Sequence, residues 1–208
     1  MKVLLVGALG NMGSRYMAIL KHLGVDYSIY DSQMRMSIDS AAQGCDRAMI
    51  ATPTIAHPQS IREVIRVLPG KPILCEKPIT TNIEQLSEVI KECQAAKSDL
   101  RVVYQYKKAY IDDFNHGPTH YNFYRHGGDG LQWDCIQIIG LARGLVTLRE
   151  DSPIWDCVIN GQRLNIGDMD RAYVSYVADW LHNPELCVGV NDILAIHKKV
   201  KEFVHDRG

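Results

Sequence analysis

The chain has 208 residues, of which 46% are hydrophobic and 23% are charged. This balance is typical of a globular protein with its own core and argues against a disordered chain or a coiled coil. The 23 lysines and arginines nearly cancel the 24 aspartates and glutamates, so we expect no affinity for nucleic acid or membranes. Short apolar runs, no signal-peptide pattern and six cysteines without CxxC spacing predict a cytoplasmic protein with reduced thiols.

The first hundred residues alternate short β-branched segments with segments of helical periodicity, which is typical of a parallel sheet with crossover helices. The predicted strands are Lys2–Gly7, Asp26–Tyr30, Arg47–Ala51, Pro72–Cys75 and Leu100–Tyr104. Helices are predicted over Ser14–Leu23 and Pro58–Leu68. A third helix should begin after Asn82, an N-cap with Gln85 three residues later, and its apolar face comprises Ile83, Leu86, Ile90 and Cys93.

The sequence changes in character after Tyr106, where a segment rich in glycine, histidine, aspartate and aromatic residues shows weak periodicity. We therefore predict two domains, residues 1–108 and 109–208. The histidines of this irregular segment match no common metal-ligand spacing, and we predict no metal site. They are His116, His120 and His126.

The second half also carries a hairpin signal, because Asn160-Gly161 fits a type I′ turn. The two strands that it joins are predicted over Trp155–Ile159 and Gln162–Ile166. Two helices should follow. Asp168 caps the first, which Asn183-Pro184 stops, and Asn191 caps the second, which runs to about Val204. The apolar face of the first comprises Tyr173, Tyr176, Val177, Trp180 and Leu181.

Three glycines follow the first predicted strand, in the segment Gly7-Ala-Leu-Gly10-Asn-Met-Gly13, here called the glycine turn. Glycines between a strand and a helix let the backbone approach a pyrophosphate, whose charge sits at the helix N-terminus. The spacing is one residue longer than GxGxxG. We predict a Rossmann-type dinucleotide-binding domain, and the alternative is a turn without a ligand. The cofactor-binding candidates here are Gly7, Leu9, Gly10, Asn11 and Met12.

Asp31 stands directly after the second predicted strand, 18 residues after Gly13. An acidic side chain there accepts hydrogen bonds from the adenosine ribose and repels a 2′-phosphate, which favours NAD over NADP. The alternative is an aspartate that only starts a turn. We include Ser32 among the cofactor-binding candidates. Because Arg35 is near in sequence, NADP stays an alternative to NAD as the cofactor.

Two further motifs stand at the ends of successive strands, Ala51-Thr-Pro-Thr-Ile-Ala-His57 and Cys75-Glu-Lys-Pro78. In series with the glycine turn and Asp31, they resemble the (A/T)TPTxxH and EKP motifs of the glucose-fructose oxidoreductase and inositol dehydrogenase (Gfo/Idh/MocA) family. The resemblance covers residues 1 to about 108. It implies an NAD(P)-dependent oxidoreductase that transfers a hydride between nicotinamide and a hydroxyl or carbonyl of a small polar substrate, such as a sugar, cyclitol or sugar derivative.

The resemblance also implies roles for single residues. In the first motif, the residues that should lie along the cofactor are Thr52, Pro53 and His57. Glu76 should help to fix its loop, and Lys77 should point at the nicotinamide and the substrate, where an ammonium can stabilise alkoxide charge and exchange a proton. Pro78 should hold the loop rigid through a cis bond.

The family has a longer second half, an open antiparallel sheet with a DxGxH-like motif whose aspartate and histidine face the substrate. The best match here is Trp133-Asp134-Cys-Ile-Gln137. Asp134 fits the aspartate, but either Gln137 or Ile138 stands at the position of the histidine. We therefore expect an active enzyme to rely on Lys77, with Asp134 orienting a hydroxyl and Gln137 forming a hydrogen bond. The substrate-binding candidates are Tyr106, Lys107, Trp133 and Asp134, besides Lys77.

The predicted fold class is α/β, with a Rossmann-type parallel sheet and a small α+β C-terminal domain containing an antiparallel sheet. By the resemblance, the C-terminal helices pack back on the first domain. Two alternatives stay open: a non-catalytic NAD(P)-binding sensor or interaction protein of the same family, and an enzyme like dihydrodipicolinate reductase, which fits the glycine spacing but not the EKP motif. A homodimer is also open.

Overall fold

The computed structural model describes residues 1–105, 119–122, 136, 146–149, 156–159, 162–163 and 169–205. Its strands are β1 (Lys2–Val6), β2 (Asp26–Tyr30), β3 (Arg47–Ile50), β4 (Ile73–Cys75), β5 (Leu100–Val102), β6 (Thr119–Asn122), β7 (Val146–Arg149), β8 (Asp156–Ile159), β9 (Gln162–Arg163) and β10 (Val188–Gly189). Its helices are α1 (Asn11–His22), α2 (Ile38–Ala41), α3 (His57–Val67), α4 (Ile83–Ala95), α5 (Met169–His182) and α6 (Val190–His205). The α/β fold class is confirmed.

The larger sheet has six strands in the order β10-β5-β4-β3-β1-β2, and its first five strands in sequence are parallel. All five predicted strands are confirmed, with ends that shift by at most two residues. The strand β2 lies on one side of β1 and β3 on the other. The strand order therefore reverses at β1, and ligands of such sheets bind beyond the carboxyl ends of the strands at this point.

The core of this sheet explains the apolar runs of the sequence. Val3, Leu4 and Leu5 of β1 are 0% exposed, because a central parallel strand is covered by helices on both faces. Helix α1 buries Tyr16 and Leu20 against it. Helix α2 is not predicted by the sequence, since its four residues are too short to show a helical period.

The N-terminus of α4 confirms the predicted cap. The backbone N–H of Gln85 donates to Asn82 Oδ1 at 2.9 Å. The Gln85 side chain does not return to Asn82, because its Oε1 accepts from the Thr80 hydroxyl at 2.5 Å. Thr80 Oγ1 instead accepts the Asn82 N–H at 3.2 Å. Thr80 thus completes a cap that the sequence pattern assigned to two residues.

The C-terminal helices agree with the sequence in one case and differ in the other. Helix α5 begins directly after Asp168 and ends before Asn183, and its predicted apolar face is buried. The prediction of Asn191 as an N-cap is wrong, because α6 begins at Val190. The preceding residues form β10, which pairs antiparallel with β5, so the chain enters α6 straight from a strand.

The smaller sheet has the order β7-β6-β8-β9. The predicted pairing of the two hairpin strands is confirmed, since β8 and β9 are antiparallel with Ile159 opposite Gln162, while Asn160-Gly161 lies outside the described residues. The β6–β8 pair is also antiparallel, but β6 and β7 are parallel, so this sheet is mixed.

The chain divides into two compact units. One comprises Met1–Val103 with Val177–Val190, and the other comprises Tyr104–Tyr176 with Asn191–Gly208. The domain boundary at residue 108 stays a prediction. No helix in the described ranges is long and apolar enough to cross a membrane.

Candidate functional site

The glycine turn follows β1 and leaves no room for side chains at two of its glycines. Gly7 has a φ of +83°, and a Cβ there would lie 2.7 Å from the backbone nitrogen of Thr52. A Cβ on Gly13 would lie 2.2 Å from the carbonyl oxygen of Gly7. Gly7 therefore allows the turn to contact the chain after β3, and Gly13 allows α1 to contact the turn.

Gly10 has a different environment. A Cβ on Gly10 would meet nothing nearer than the Gly7 carbonyl oxygen at 3.6 Å. Gly10 is the N-cap of α1 and offers no side-chain hydrogen bond to the first turn of that helix. The first N–H groups of a helix have no partner within the helix and favour negative charge. The space at Gly10 and these N–H groups together suit a phosphate.

Asp31 follows β2 and ties the glycine turn to that strand. Its Oδ2 accepts the N–H of Leu9 and its Oδ1 accepts the N–H of Gln33, both at 3.2 Å. The carbonyl oxygen of Tyr30 also accepts the N–H of Gly7 at 2.8 Å. Each carboxylate oxygen has more than one acceptor position, so Asp31 can hold the turn and still accept hydrogen bonds from ribose hydroxyls.

A pocket of about 430 Å³ lies at this edge of the sheet, a volume within the range of small-molecule sites. Among the predicted cofactor-binding residues, its walls include Gly7, Leu9, Gly10, Asp31, Ser32, Thr52 and Pro53. Further walls, which the sequence did not single out, come from Tyr30 and from the α3 residues Gln59, Ser60 and Glu63. Asn11 and Met12 stand in the first turn of α1, next to the pocket residue Gly10.

His57 begins α3 and is 1% exposed. Its Nδ1 lies 2.7 Å from the carbonyl oxygen of Pro78 and its Nε2 lies 2.7 Å from that of Thr52. Which ring nitrogen donates to its carbonyl oxygen depends on the tautomer of the imidazole. His57 thus connects a pocket wall to the chain after β4. Its contact with the cofactor stays a prediction.

The segment after β4, residues 76–78, is here called the lysine loop. Glu76 is 7% exposed, and its carboxylate accepts from the Tyr16 hydroxyl of α1 and from the Lys77 N–H at 3.1 Å. The expected cis bond is confirmed at Lys77-Pro78. Sequence reasoning missed Tyr16, because a tyrosine on the apolar face of α1 gives no sign that its hydroxyl meets a buried acid.

Lys77 is half-buried and stands at the carboxyl edge of the parallel sheet. The neighbouring strand β3 leads to Thr52 and Pro53, which line the pocket. The remaining predicted residues of the catalytic and substrate sites lie outside the described residues: Tyr106, Lys107, Trp133, Asp134 and Gln137. In the described part of the chain, no group of three potential metal ligands is found.

The sequence of residues 5–104 matches the Gfo/Idh/MocA family, described as an oxidoreductase family with an NAD-binding Rossmann fold. No curated protein matches the chain significantly by sequence.

Three similar crystal structures extend the fold comparison to nearly the whole chain. A probable dehydrogenase from Thermotoga maritima has a TM-score of 0.80 and 12% identity, with 100% of this chain and 98% of that chain covered. A Gfo/Idh/MocA oxidoreductase from Vibrio cholerae has a TM-score of 0.72 and 13% identity, with 99% and 97% covered. The WlbA (WbpB) dehydrogenase from Thermus thermophilus, in complex with NAD and UDP-GlcNAcA, has a TM-score of 0.69 and 12% identity, with 96% and 93% covered.

At these identities the structural likeness shows the fold alone. The sequence match is independent of that likeness, and it spans the glycine turn, Asp31 and the lysine loop. Over residues 5–104 the chain thus matches the Gfo/Idh/MocA oxidoreductase family and carries its NAD-binding Rossmann fold, as the sequence motifs predicted.

Proposed function

We propose that the protein transfers a hydride between NAD and a hydroxyl or carbonyl carbon of a small polar substrate of the sugar or cyclitol class. One observation carries this proposal. The lysine loop is held by His57 on one side and by Tyr16 on the other, at the sheet edge where the pocket lies. A lysine on a firmly held loop beside a dinucleotide pocket is suited to proton transfer at a reacting oxygen.

The residues present fit NAD. Asp31 is placed to accept hydrogen bonds from the adenosine ribose, and the open space at Gly10 lets a pyrophosphate approach the N-terminus of α1. The nicotinamide would then extend towards the lysine loop. The chemistry supplied by bound NAD is the acceptance of a hydride from the substrate carbon.

The proton of the reaction needs a separate acceptor. When an alcohol carbon is oxidised, its C–H electron pair leaves with the hydride, the C=O bond forms, and the hydroxyl proton is released. Lys77 Nζ, in its amine form, accepts this proton, and its ammonium form returns it in the reverse direction. The ammonium also stabilises negative charge on the reacting oxygen. Asp134 and Gln137 remain our candidates for orienting the substrate hydroxyl.

The substrate class rests on the family and on one similar structure. The Thermus thermophilus dehydrogenase was crystallised with UDP-GlcNAcA, and we extend the class of sugar derivatives, not this compound, to the present chain. A panel of sugars, cyclitols and sugar acids with NAD, followed by nicotinamide absorbance, tests this part. Turnover with none of these classes, but with a simple aliphatic alcohol, would contradict it.

The first experiment separates binding from chemistry at Lys77. NADH is titrated into the wild type, Lys77→Ala and the control Lys71→Ala, whose exposed lysine lies outside the pocket walls, with nicotinamide fluorescence as the signal. We expect all three to bind NADH within about threefold of one another and Lys77→Ala to lose about 10²- to 10⁴-fold in kcat. Unchanged turnover in Lys77→Ala would remove Lys77 from the mechanism.

We also propose that the enzyme is cytoplasmic. Four cysteines of the described residues are free thiols, namely Cys45, Cys75, Cys93 and Cys187, which suits a reducing compartment.

Burial raises the pKa of the Cys93 thiol to about 12 and that of Cys75 well above its ordinary value. We expect both to resist alkylation at neutral pH until the protein unfolds. Rapid labelling of the native protein at Cys93 would contradict this.

We also propose that the protein forms a homodimer. The chain has a mass of 23.4 kDa, and light scattering during size-exclusion chromatography distinguishes this mass from twice its value. A single species at the mass of one chain would contradict the homodimer.

A further inference from the structure

The pocket walls carry charge of one sign. Two carboxylates line the pocket, Asp31 after β2 and Glu63 on α3, and its lining contains no lysine, arginine or histidine. The strand β2 lies on one side of β1, while α3 follows β3 on the other side. The two carboxylates therefore reach the pocket from different elements. The sequence motifs account for Asp31 but give no role to Glu63.

The arginines beside Glu63 on α3 are paired with acids of other helices. Arg62 Nε lies 2.8 Å from Glu92 Oε2 of α4. Arg66 forms two hydrogen bonds with Asp39 of α2, at 2.8 and 3.0 Å. The hydrogen bond with Asp39 raises the pKa of Arg66, and the negative charge of Glu63 contributes less to the same shift. Neither arginine lines the pocket. Each forms its hydrogen bonds with an acid of another helix, and Arg66 acts on Glu63 through its charge from outside the pocket.

Two further residues complete the surroundings of Glu63. The Gln59 side chain, one turn earlier on α3, donates to Glu63 Oε1 at 3.4 Å, a contact between a neutral and a charged group that leaves the charge in place. Arg35, which left NADP open in the sequence, is exposed and does not line the pocket. No cationic lining residue is thus available to balance Asp31 and Glu63.

We propose that Glu63 is a specificity-determining residue that acts with Asp31 to exclude NADP. The inference rests on the proposed function, in which the adenosine end of NAD occupies this pocket. NADP differs from NAD by a 2′-phosphate on the adenosine ribose, which adds negative charge where two carboxylates already stand. Repulsion by two groups on separate elements means that replacing Asp31 alone leaves part of the discrimination intact.

The test is a set of Kd values for NADH and NADPH. In Glu63→Gln we expect the Kd of NADPH to fall about threefold to tenfold, because one screened repulsion is removed, while that of NADH changes less than about twofold. Asp31→Asn should act in the same direction, and the double variant should bind NADPH more tightly than either single variant. The effect of Glu63→Gln should shrink as salt is raised.

Glu84→Gln is the matched control, since Glu84 is exposed in the first turn of α4 and does not line the pocket. It should leave the NADPH-to-NADH ratio of Kd values unchanged. If Glu63→Gln weakens both cofactors equally, or leaves the ratio of the wild type, the proposal for Glu63 is overturned. If the wild type binds neither cofactor, the proposed function itself fails, and the two failures are thereby distinguished.

Discussion

The glycine turn and the lysine loop lie at the same edge of one sheet, but different kinds of contact hold them. The glycine turn is fixed mainly through its backbone, with Gly7 bonded to the Tyr30 carbonyl and the Leu9 N–H bonded to Asp31. The lysine loop is fixed through buried side chains of distant elements, namely Tyr16 and His57. The glycine turn therefore depends on the absence of side chains, and the lysine loop depends on the presence of particular side chains.

This difference predicts opposite responses to mutation. Adding a methyl group to the glycine turn should cause damage wherever backbone atoms are in the way, because backbone cannot move aside as a flexible side chain can. Removing polar atoms around the lysine loop should cost free energy and loosen Lys77, because a buried partner then lacks its hydrogen bond. The lysine loop is thus the feature whose stabilising contacts can be removed one at a time by mutation.

The largest effect is expected at Gly13. In Gly13→Ala the new Cβ would lie 2.2 Å from the Gly7 carbonyl oxygen and 2.6 Å from that of Ala8. We expect a loss of about 3 kcal/mol in the free energy of unfolding, because the turn and α1 must separate, together with loss of NADH binding. Urea unfolding and NADH titration measure the two effects.

Gly10→Ala is the matched control, since its Cβ would stand 3.6 Å from the nearest atom. We expect stability near that of the wild type, with weaker NADH binding because the methyl group enters the pocket. Equal destabilisation of Gly13→Ala and Gly10→Ala would contradict the account of the glycine turn.

The next effect concerns the contact between α1 and the lysine loop. Tyr16→Phe keeps the buried ring and removes the hydroxyl that donates to Glu76. We expect the free energy of unfolding to fall by about 1–3 kcal/mol, because a buried carboxylate loses a donor. kcat should fall more than NADH affinity, since Lys77 follows Glu76 directly. A fall in NADH affinity with unchanged kcat would contradict a positioning role for Tyr16.

His57→Gln tests the other support of the lysine loop. A glutamine amide can donate through its nitrogen but presents an oxygen to the second carbonyl, so one of the Thr52 and Pro78 contacts is lost. We expect a destabilisation of about 1–2 kcal/mol and a lower kcat. Urea unfolding and steady-state turnover measure the two effects, and wild-type stability with wild-type kcat in His57→Gln would contradict a supporting role for His57.

The two features also differ in how far the sequence predicted them. The glycine spacing after a strand predicts a turn without side chains, since the constraint is local, and Asp31 is found by its place at the end of β2. The EKP motif identifies Glu76 and Lys77. It does not identify Tyr16 as the partner of Glu76, because Tyr16 stands 60 residues earlier and only the packing of α1 brings the two side chains together.

Glu63 shows the same limit from another direction. Nothing in the sequence of α3 distinguishes Glu63 from the charged residues beside it. In the fold, Arg62 and Arg66 contact Glu92 and Asp39, whereas Glu63 lines the pocket. The error at Asn191 arises likewise from tertiary structure, since the pairing of β10 with β5 decides where α6 begins. Local patterns therefore predict elements and turns, while the partners of buried charges require the fold.

The smallest effect is expected at the helix that follows the lysine loop. Asn82→Ala removes the Oδ1 that accepts the Gln85 N–H, which should lower the free energy of unfolding by about 1 kcal/mol. The exposed neighbour Thr81, changed to Ala, is the control and should have less effect. Because His57 and Tyr16 hold the lysine loop independently of this cap, kcat should stay near the wild-type value in Asn82→Ala at temperatures where the protein is folded. A kcat as low as that of Tyr16→Phe would show that α4 also positions Lys77, and that the loop has a third support.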